Sequence, residues 1–154
     1  MGGCIDARLR ELSIELPAPA HSVGKYAPYV RTGNQVWCVQ GPLIGKELAY
    51  QGKVGERYTL EQAQACARLV CLNILTQVRA ACDGDLDRVT RCVRLGGFIN
   101  SAADFIDQTQ VMNGASELIL EIFGDKGRHA RFAVGCNNLP YDLAVEIEGI
   151  FEIA

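Results

Sequence analysis

Two charged side chains near the C-terminus have surroundings that suit acid binding and water activation. Arg131 begins a predicted strand within residues 127–134, GRHARFAV. A guanidinium there could hold a small carboxylate by two parallel hydrogen bonds, or be an ordinary surface arginine. Glu146 alternates with apolar residues and could position a water beside a bound acid. Its neighbours Glu148 and Glu152 fit the alternative that this strand simply presents carboxylates to solvent.

Whether these two groups meet depends on the strands that carry them. Strands are predicted over 131–136 and 143–153, joined by a turn at 139–140. Antiparallel pairing of the two strands would place Arg131 and Glu146 close together around one cavity. The pair could then bind a small acid, while the alternative that both side chains are ordinary surface charges stays open.

Three other polar residues are singled out by their positions. Asn113 lies early in a predicted helix, where it could donate into a pocket or cap the helix. Tyr26 lies in an extended connector and could line a pocket with its phenol or pack ordinarily. Asn73 lies in the middle of the longest predicted helix and is interpreted as a structural amide that bonds to the backbone.

Composition excludes several classes of protein. The chain has 154 residues, of which 49% are hydrophobic and 21% charged, as in one folded domain. Its net charge of −3 disfavours nucleic acid as a partner. There is no apolar run of about 18 residues to span a membrane, and the N-terminal stretch lacks the apolar core of a secretory signal. We expect a cytoplasmic protein.

Cysteine spacing and motif content disfavour a cofactor or metal. The seven cysteines form no CxxC pair, and the chain has only two histidines, His21 and His129. We expect seven reduced thiols, several of them in the core. Neither a GxxxxGK[ST] phosphate loop nor a GxSxG nucleophile turn is present.

The overall pattern predicts an α+β fold, with residues 1–20 as a helix and connector and 21–154 as one domain. Thr59 and Gln62 have capping-box spacing, and Gly124 ends the second long helix. Helices are predicted over 5–16, 60–82 and 111–123, and strands over 30–39, 48–54, 86–100, 131–136 and 143–153. The order β-β-α-β-α-β-β is typical of a sheet with both helices on one face. The other face then needs a cover, which symmetric oligomerisation supplies most simply.

Several short motifs carry a resemblance to a known family. They are Gly-Lys-Tyr at 24–26, Thr-Gly-Asn at 32–34, Val-Met-Asn at 111–113, Arg-Phe-Ala-Val at 131–134 and the run from Leu-Pro to Val-Glu-Ile-Glu at 139–148. Together they resemble the Rid family of YjgF-like reactive intermediate deaminases, also called L-PSP endoribonucleases. The resemblance covers about residues 20–154, and the opening helix resembles that of a longer branch.

This resemblance implies a chorismate-mutase-like fold that assembles as a trimer, with sheets inside and pockets between neighbouring subunits. It implies that Arg131 holds the substrate carboxylate and that Glu146 places or activates the attacking water. Tyr26 and Asn113 fall on further pocket positions. Val39 stands where the family has a serine, although a one-residue gap would put Cys38 there.

A second departure, Phe132 in place of a serine after the arginine, also bears on the pocket. The implied reaction is hydrolysis of a small enamine or imine acid, such as 2-iminopropanoate, to a keto acid and ammonia, without metal or cofactor. Val39 and Phe132 favour an alternative, a trimer that binds a small carboxylate without turnover. An endoribonuclease, as in the older family label, is the least favoured, because no basic stripe with interleaved aromatics is present.

Overall fold

In the computed structural model, five strands form one mixed sheet and two long helices cover one of its faces. The structure describes residues 3–19, 22 and 24–154, so positions 20, 21 and 23 of the predicted connector lie outside it. The helices are α1 (Cys4–Glu11), α2 (Leu60–Ala81) and α3 (Gln108–Phe123). The strands are β1 (Tyr29–Thr32), β2 (Gln35–Gln40), β3 (Leu43–Ile44), β4 (Glu47–Leu48), β5 (Val89–Asn100), β6 (Ala130–Cys136) and β7 (Val145–Ile153). The predicted α+β class is confirmed.

The order of strands in the large sheet is β1-β2-β7-β5-β6. All neighbours are antiparallel except β5 and β6, which run parallel. The parallel pair arises because α3 connects β5 to β6 as a crossover. As a result β6 lies at the edge of the sheet, and β5 separates it from β7.

The first half of the sheet differs from the sequence prediction. The single strand expected over 30–39 is a hairpin of β1 and β2, in which Gly33 adopts φ 57° at the turn. The return strand expected over 48–54 was wrong. Only β4 forms there, paired with β3, while Gln51 and Val54 make isolated bridges.

The two long helices begin and end largely as their signals predict. The Thr59 hydroxyl accepts from the Gln62 backbone N–H at 3.2 Å, and the Gln62 side chain accepts from the Thr59 N–H at 2.9 Å. This confirms the capping box. Gly124 ends α3 with φ 58°. A Cβ on Gly114 would lie 2.1 Å from the Gln64 carbonyl oxygen, so a glycine there lets α2 and α3 approach closely.

The N-terminal helix is shorter than predicted. It ends at Glu11 rather than at residue 16, because Ser13 enters the left-handed region with φ 54°. Its first turn is capped from a distance by Asp87, whose carboxylate accepts from the N–H groups of Cys4 at 2.8 Å and Ile5 at 2.7 Å. This anchoring fixes α1 against the rest of the domain.

Asn73 behaves as predicted. Its amide nitrogen donates to the carbonyl of Gly41 at 3.1 Å and to that of Leu43 at 2.9 Å, which ties α2 to the segment between β2 and β3. Asn73 is 2% exposed, so water does not replace these bonds.

Replacing Asn73 by leucine should therefore be costly. It removes the amide donor from both carbonyls, of which that of Gly41 still accepts from the Leu43 N–H at 3.0 Å, and we expect a loss of about 2–4 kcal/mol in the free energy of unfolding. Urea denaturation measures this. The matched variant Asn138→Leu, at an exposed position, should change the free energy by less than about 0.5 kcal/mol. Equal effects would mean that the buried amide contributes nothing.

The face of the sheet opposite the helices carries exposed apolar side chains. Trp37 and Val39 of β2 are 40% and 44% exposed, Phe98 of β5 is 41% exposed and Val134 of β6 is 42% exposed. We call this the open face. The prediction of an uncovered sheet face thus holds within one chain, and an apolar patch of this kind is typical of an interaction surface.

Candidate functional site

A hollow of about 440 Å³ brings together three of the predicted site residues, Tyr26, Val39 and Glu146. We call it the Glu146 hollow. Val39 lies opposite Glu148 in the β2–β7 register, so Glu146 is its diagonal neighbour on the open face. The remaining described lining residues are Ser22, Gly24, Gln40, Gly41, Leu43, Leu48, Pro140, Tyr141 and Leu143. The hollow is therefore a mainly apolar cavity with one carboxylate.

Burial changes the acidity of that carboxylate. Glu146 is half-buried, and removal from water raises its pKa above the ordinary value of a glutamate. A carboxylate with a raised pKa is a better proton acceptor near neutral pH. The group therefore has the chemistry of a general base.

One wall of the hollow is a loop held in an uncommon conformation. Tyr141 and Asp142 have φ values of 58° and 56°, which few non-glycine residues adopt. Asn100, fully buried at the end of β5, donates to the Asp142 carboxylate at 2.9 Å and accepts from the Lys53 ammonium at 2.7 Å. Lys53 also donates to the Asn137 carbonyl. This network holds the loop beside Glu146.

Arg131 lies elsewhere, on the helix side of β6. Its Nη1 donates to the Asn113 side-chain oxygen at 2.9 Å and to the Ser116 hydroxyl at 3.0 Å, and its Nη2 donates to the Thr109 carbonyl at 3.0 Å. Asn113 is thus inside α3, bound to Arg131, and does not cap the helix, which begins at Gln108. Three contacts with one helix fix the guanidinium.

The predicted antiparallel pairing of the strands that carry Arg131 and Glu146 was wrong. Glu146 is level with Phe98 on β5 and, beyond it, with Val134 on β6. Arg131 is three residues from Val134, so it points to the opposite face. Within one chain the two positions are two strands apart across the sheet, which is about 10 Å, and three residues apart along β6, which is also about 10 Å.

Phe132 points away from Arg131, onto the open face. Its ring lies edge-on to Phe98 at 5.4 Å between centroids, and the Arg94 guanidinium lies 5.5 Å above it. A Cβ on Gly96 would be 2.5 Å from this ring, so Gly96 makes room for it. Phe132 extends the open face and lines neither the Glu146 hollow nor the groove beside Arg131.

Sequence reasoning missed two polar residues beside Arg131. The Ser116 hydroxyl lies 2.8 Å from His129 Nε2, and His129 Nδ1 lies 2.6 Å from the Gly127 carbonyl oxygen. Together with Leu120, Arg128 and Arg131 they line a groove of about 400 Å³, which we call the Arg131 groove. Their positions in the sequence could have indicated them. Ser116 follows Asn113 by three residues, which places both on one face of a helix, and His129 precedes Arg131 by two residues, which places both on one face of a strand.

The buried cysteines do not take part in either depression. Burial raises the pKa of the Cys38, Cys66 and Cys92 thiols to about 12, and that of Cys71 is also raised by burial. Such thiols stay protonated and pack as small apolar groups. In the described ranges we find no cluster of three or more potential metal ligands and no helix long and apolar enough to cross a membrane.

Comparison with known proteins identifies the family. The family model described as "YjgF/chorismate_mutase-like, putative endoribonuclease" matches residues 6–147. The chain is also 43% identical to Protein TCP17 of Trypanosoma cruzi over 154 residues, which cover 98% of this chain and 95% of TCP17. The chain therefore belongs to the YjgF/chorismate mutase-like family.

Solved structures show the same fold. The protein Atu1372 of Agrobacterium tumefaciens, described as of unknown function, is 42% identical with a TM-score of 0.89, over 97% of this chain and 92% of that protein. A Shewanella oneidensis MR-1 protein that bears the endoribonuclease label is 34% identical with a TM-score of 0.93, over 98% and 100%. RidA of Psychrobacter sp. PAMC 21119 is more distant, at 25% identity and a TM-score of 0.60 over 88% and 94%. The similarity to the Agrobacterium and Shewanella proteins extends over nearly the whole of this chain.

Proposed function

We propose that this protein hydrolyses small imine or enamine acids to keto acids and ammonia, in clefts between the subunits of a trimer. Water adds to the carbon of the C=N bond, and the C–N bond then breaks to release ammonia. Arg131 of one subunit binds the substrate carboxylate. Glu146 of the neighbouring subunit accepts a proton from the attacking water.

The proposal rests on one observation: the cation and the carboxylate that the reaction needs lie in two separate depressions of one chain. The Arg131 groove contains a fixed guanidinium, and the Glu146 hollow contains a carboxylate with a raised pKa. No arginine or lysine is among the described residues that line the Glu146 hollow. A second copy of the chain, packed against the open face, would supply the missing cation and cover the apolar side chains.

The roles follow from the groups present. Arg131 keeps its Nε–H and one Nη2–H after its three contacts with α3, enough for a bidentate carboxylate. Tyr26 and Val39 form walls of the Glu146 hollow, and an apolar wall keeps the carboxylate partly out of water. A substrate acid and a water that are held in the correct relative position react over a lower activation barrier.

Activity is tested with an imine acid generated in place. An amino-acid oxidase or dehydratase supplies the imine from its amino acid, and keto-acid or ammonia release is followed with and without the protein. We expect the protein to release keto acid and ammonia faster than the spontaneous reaction does. Release at the spontaneous rate for imines of small, branched and aromatic acids would contradict it.

A second candidate is a trimer that binds small carboxylates without turnover. The observation in its favour is Val39, an apolar side chain that lines the Glu146 hollow where the family resemblance implies a serine. A rise in melting temperature with pyruvate, without imine hydrolysis, would support this candidate. The family's ribonuclease label is tested by incubation with RNA, where loss of cleavage in Glu146→Ala would be needed to assign it to this chain.

Assembly through the open face makes its own prediction. Trp37→Glu places a charge among the exposed apolar side chains of β2, and we expect it to dissociate a trimer of 16.8 kDa chains into monomers. Sedimentation velocity measures this. Ile106→Glu, at an 84% exposed apolar residue in the loop before α3, is the matched control and should leave the trimer intact. A Trp37→Glu protein that remains trimeric would place the interface elsewhere.

A further inference from the structure

We infer that Ser116 and His129 are positioning residues for Arg131. They hold its guanidinium so that the Nε–H and the free Nη2–H form a fork for one planar carboxylate. The inference rests on the proposed function, since it assigns the carboxylate of the substrate to Arg131. It extends that function to two residues in the Arg131 groove that bind no substrate themselves.

The hydrogen-bond partners of His129 fix its tautomer. The Gly127 carbonyl, 2.6 Å from Nδ1, can only accept, so Nδ1 carries a hydrogen. In the neutral ring Nε2 is then an acceptor, and the Ser116 hydroxyl 2.8 Å away donates to it. The backbone carbonyl thus orients the imidazole, and the imidazole determines where the serine proton points.

The direction of that proton matters to Arg131. With the Ser116 proton turned toward His129, the lone pairs of the serine oxygen are left to accept from Arg131 Nη1 at 3.0 Å. Without the imidazole, no partner holds the hydroxyl proton away from the guanidinium, so the serine oxygen is a less well oriented acceptor. Ser116 is 8% exposed, so little water is present to substitute for the lost acceptor.

The donors left on Arg131 set the kind of ligand. Both Nη1 hydrogens are used, one by Asn113 and one by Ser116, and one Nη2 hydrogen is used by the Thr109 carbonyl. None of the described residues accepts from the Nε–H or from the second Nη2–H, so these two donors are left for an incoming group. The Nε–H and Nη2–H groups lie on the same edge of a guanidinium, and this pair matches one carboxylate group with two parallel bonds.

Removing the serine hydroxyl tests the inference. In Ser116→Ala and His129→Leu we expect the Kd for pyruvate, measured by calorimetry, and the KM for the imine acid each to rise about tenfold. The kcat should stay within about twofold, because the fork binds the carboxylate equally in the ground and transition states. Ser116→Thr keeps the hydroxyl and should stay within about threefold of the wild type.

Controls separate positioning from folding. Ser101→Ala removes another buried hydroxyl, which accepts from Gln108 at 3.2 Å outside both depressions, and should leave Kd and KM unchanged. Thermal unfolding checks that every variant is folded. Unchanged Kd and KM in a folded Ser116→Ala protein would overturn the inference, and so would equal losses in Ser116→Thr and Ser116→Ala.

The outcome for Arg131 distinguishes this inference from the proposed function. If Arg131→Ala abolishes pyruvate binding while Ser116→Ala does not weaken it, the positioning role is wrong and the carboxylate site stands. If Arg131→Ala binds pyruvate as the wild type does, or if the wild type binds none at millimolar concentration, the carboxylate site and the positioning role both fail.

Discussion

Arg131→Ala is expected to lower kcat/KM for a small imine acid by about a thousandfold. If Arg131 binds the substrate as proposed, the substitution removes two charge-assisted hydrogen bonds to the carboxylate, each worth about 1.5–3 kcal/mol. The contacts of Arg131 with Asn113, Ser116 and Thr109 show that the guanidinium is already fixed, so no ordering energy offsets its loss. Steady-state kinetics on the imine generated in place measures the effect.

Two related variants sharpen this prediction. Arg131→Lys keeps the charge without the fork, and we expect activity between that of the alanine variant and the wild type. Arg68→Ala removes a partly exposed arginine of α2 that pairs with Glu121 of α3 at 3.6 Å, and should leave kcat/KM unchanged. An Arg131→Ala protein with wild-type kcat/KM would remove the carboxylate role from this residue.

Glu146→Gln is expected to lower kcat by about a hundredfold to ten-thousandfold, with little change in KM. The amide fills the same space in the Glu146 hollow but cannot accept the proton of the attacking water. Glu152→Gln is the matched control. It lies on the same strand and face and accepts from the Thr90 hydroxyl at 2.7 Å, away from the hollow. Equal losses in both variants would contradict a specific role for Glu146.

The raised pKa of Glu146 fixes the sign of the pH dependence. Burial favours the protonated form, so kcat/KM should fall as the pH drops through a value above the ordinary glutamate range. That acid limb should be absent in Glu146→Gln. The same shift means that the folded state loses stability as the pH rises through the pKa of Glu146. We therefore expect Glu146→Gln to melt at a higher temperature than the wild type at neutral pH.

Local signals predicted the two long helices well, because such signals depend on neighbouring residues. Thr59 and Gln62 cap α2 as their spacing indicates, and Gly124 ends α3. Asn73 could be interpreted correctly because an amide inside an apolar helix needs acceptors. The turn at Gly33 was missed although its signal is local, because a Gly-Asn pair such as residues 33–34 is typical of a two-residue hairpin turn.

Strand pairing was the part that the sequence could not determine. Residues 131–136 and 143–153 are close in sequence and share a short turn, which favours a hairpin. The crossover through α3 instead places β6 parallel to β5, and β7 takes the central position. In this arrangement the long strand β5 pairs with β6 on one edge and with β7 on the other. Such a pairing depends on all the strands of the sheet and not on the residues of one turn. Arg131 and Glu146 were therefore recognised as candidates, but the hairpin that was to bring them together within one chain does not form.

The site beside Arg131 was only partly visible for a related reason. Asn113 was found because it is polar and lies early in a helix. Ser116 and His129 were not, because each is unremarkable until α3 is packed against β6. The spacing of Ser116 from Asn113 on α3, and that of His129 from Arg131 near β6, each look ordinary in the sequence. They indicate a shared site only once α3 and β6 are known to be neighbours.

Mixing two inactive variants tests the shared site most directly. Arg131→Ala and Glu146→Gln chains with different tags are unfolded together, refolded and purified as mixed trimers. If each site takes Arg131 from one subunit and Glu146 from its neighbour, one of the three sites in every mixed trimer is intact. The account predicts that the mixture recovers about that fraction of wild-type activity, while each variant alone remains inactive. A mixture as inactive as its components, in trimers shown to contain both tags, would contradict it.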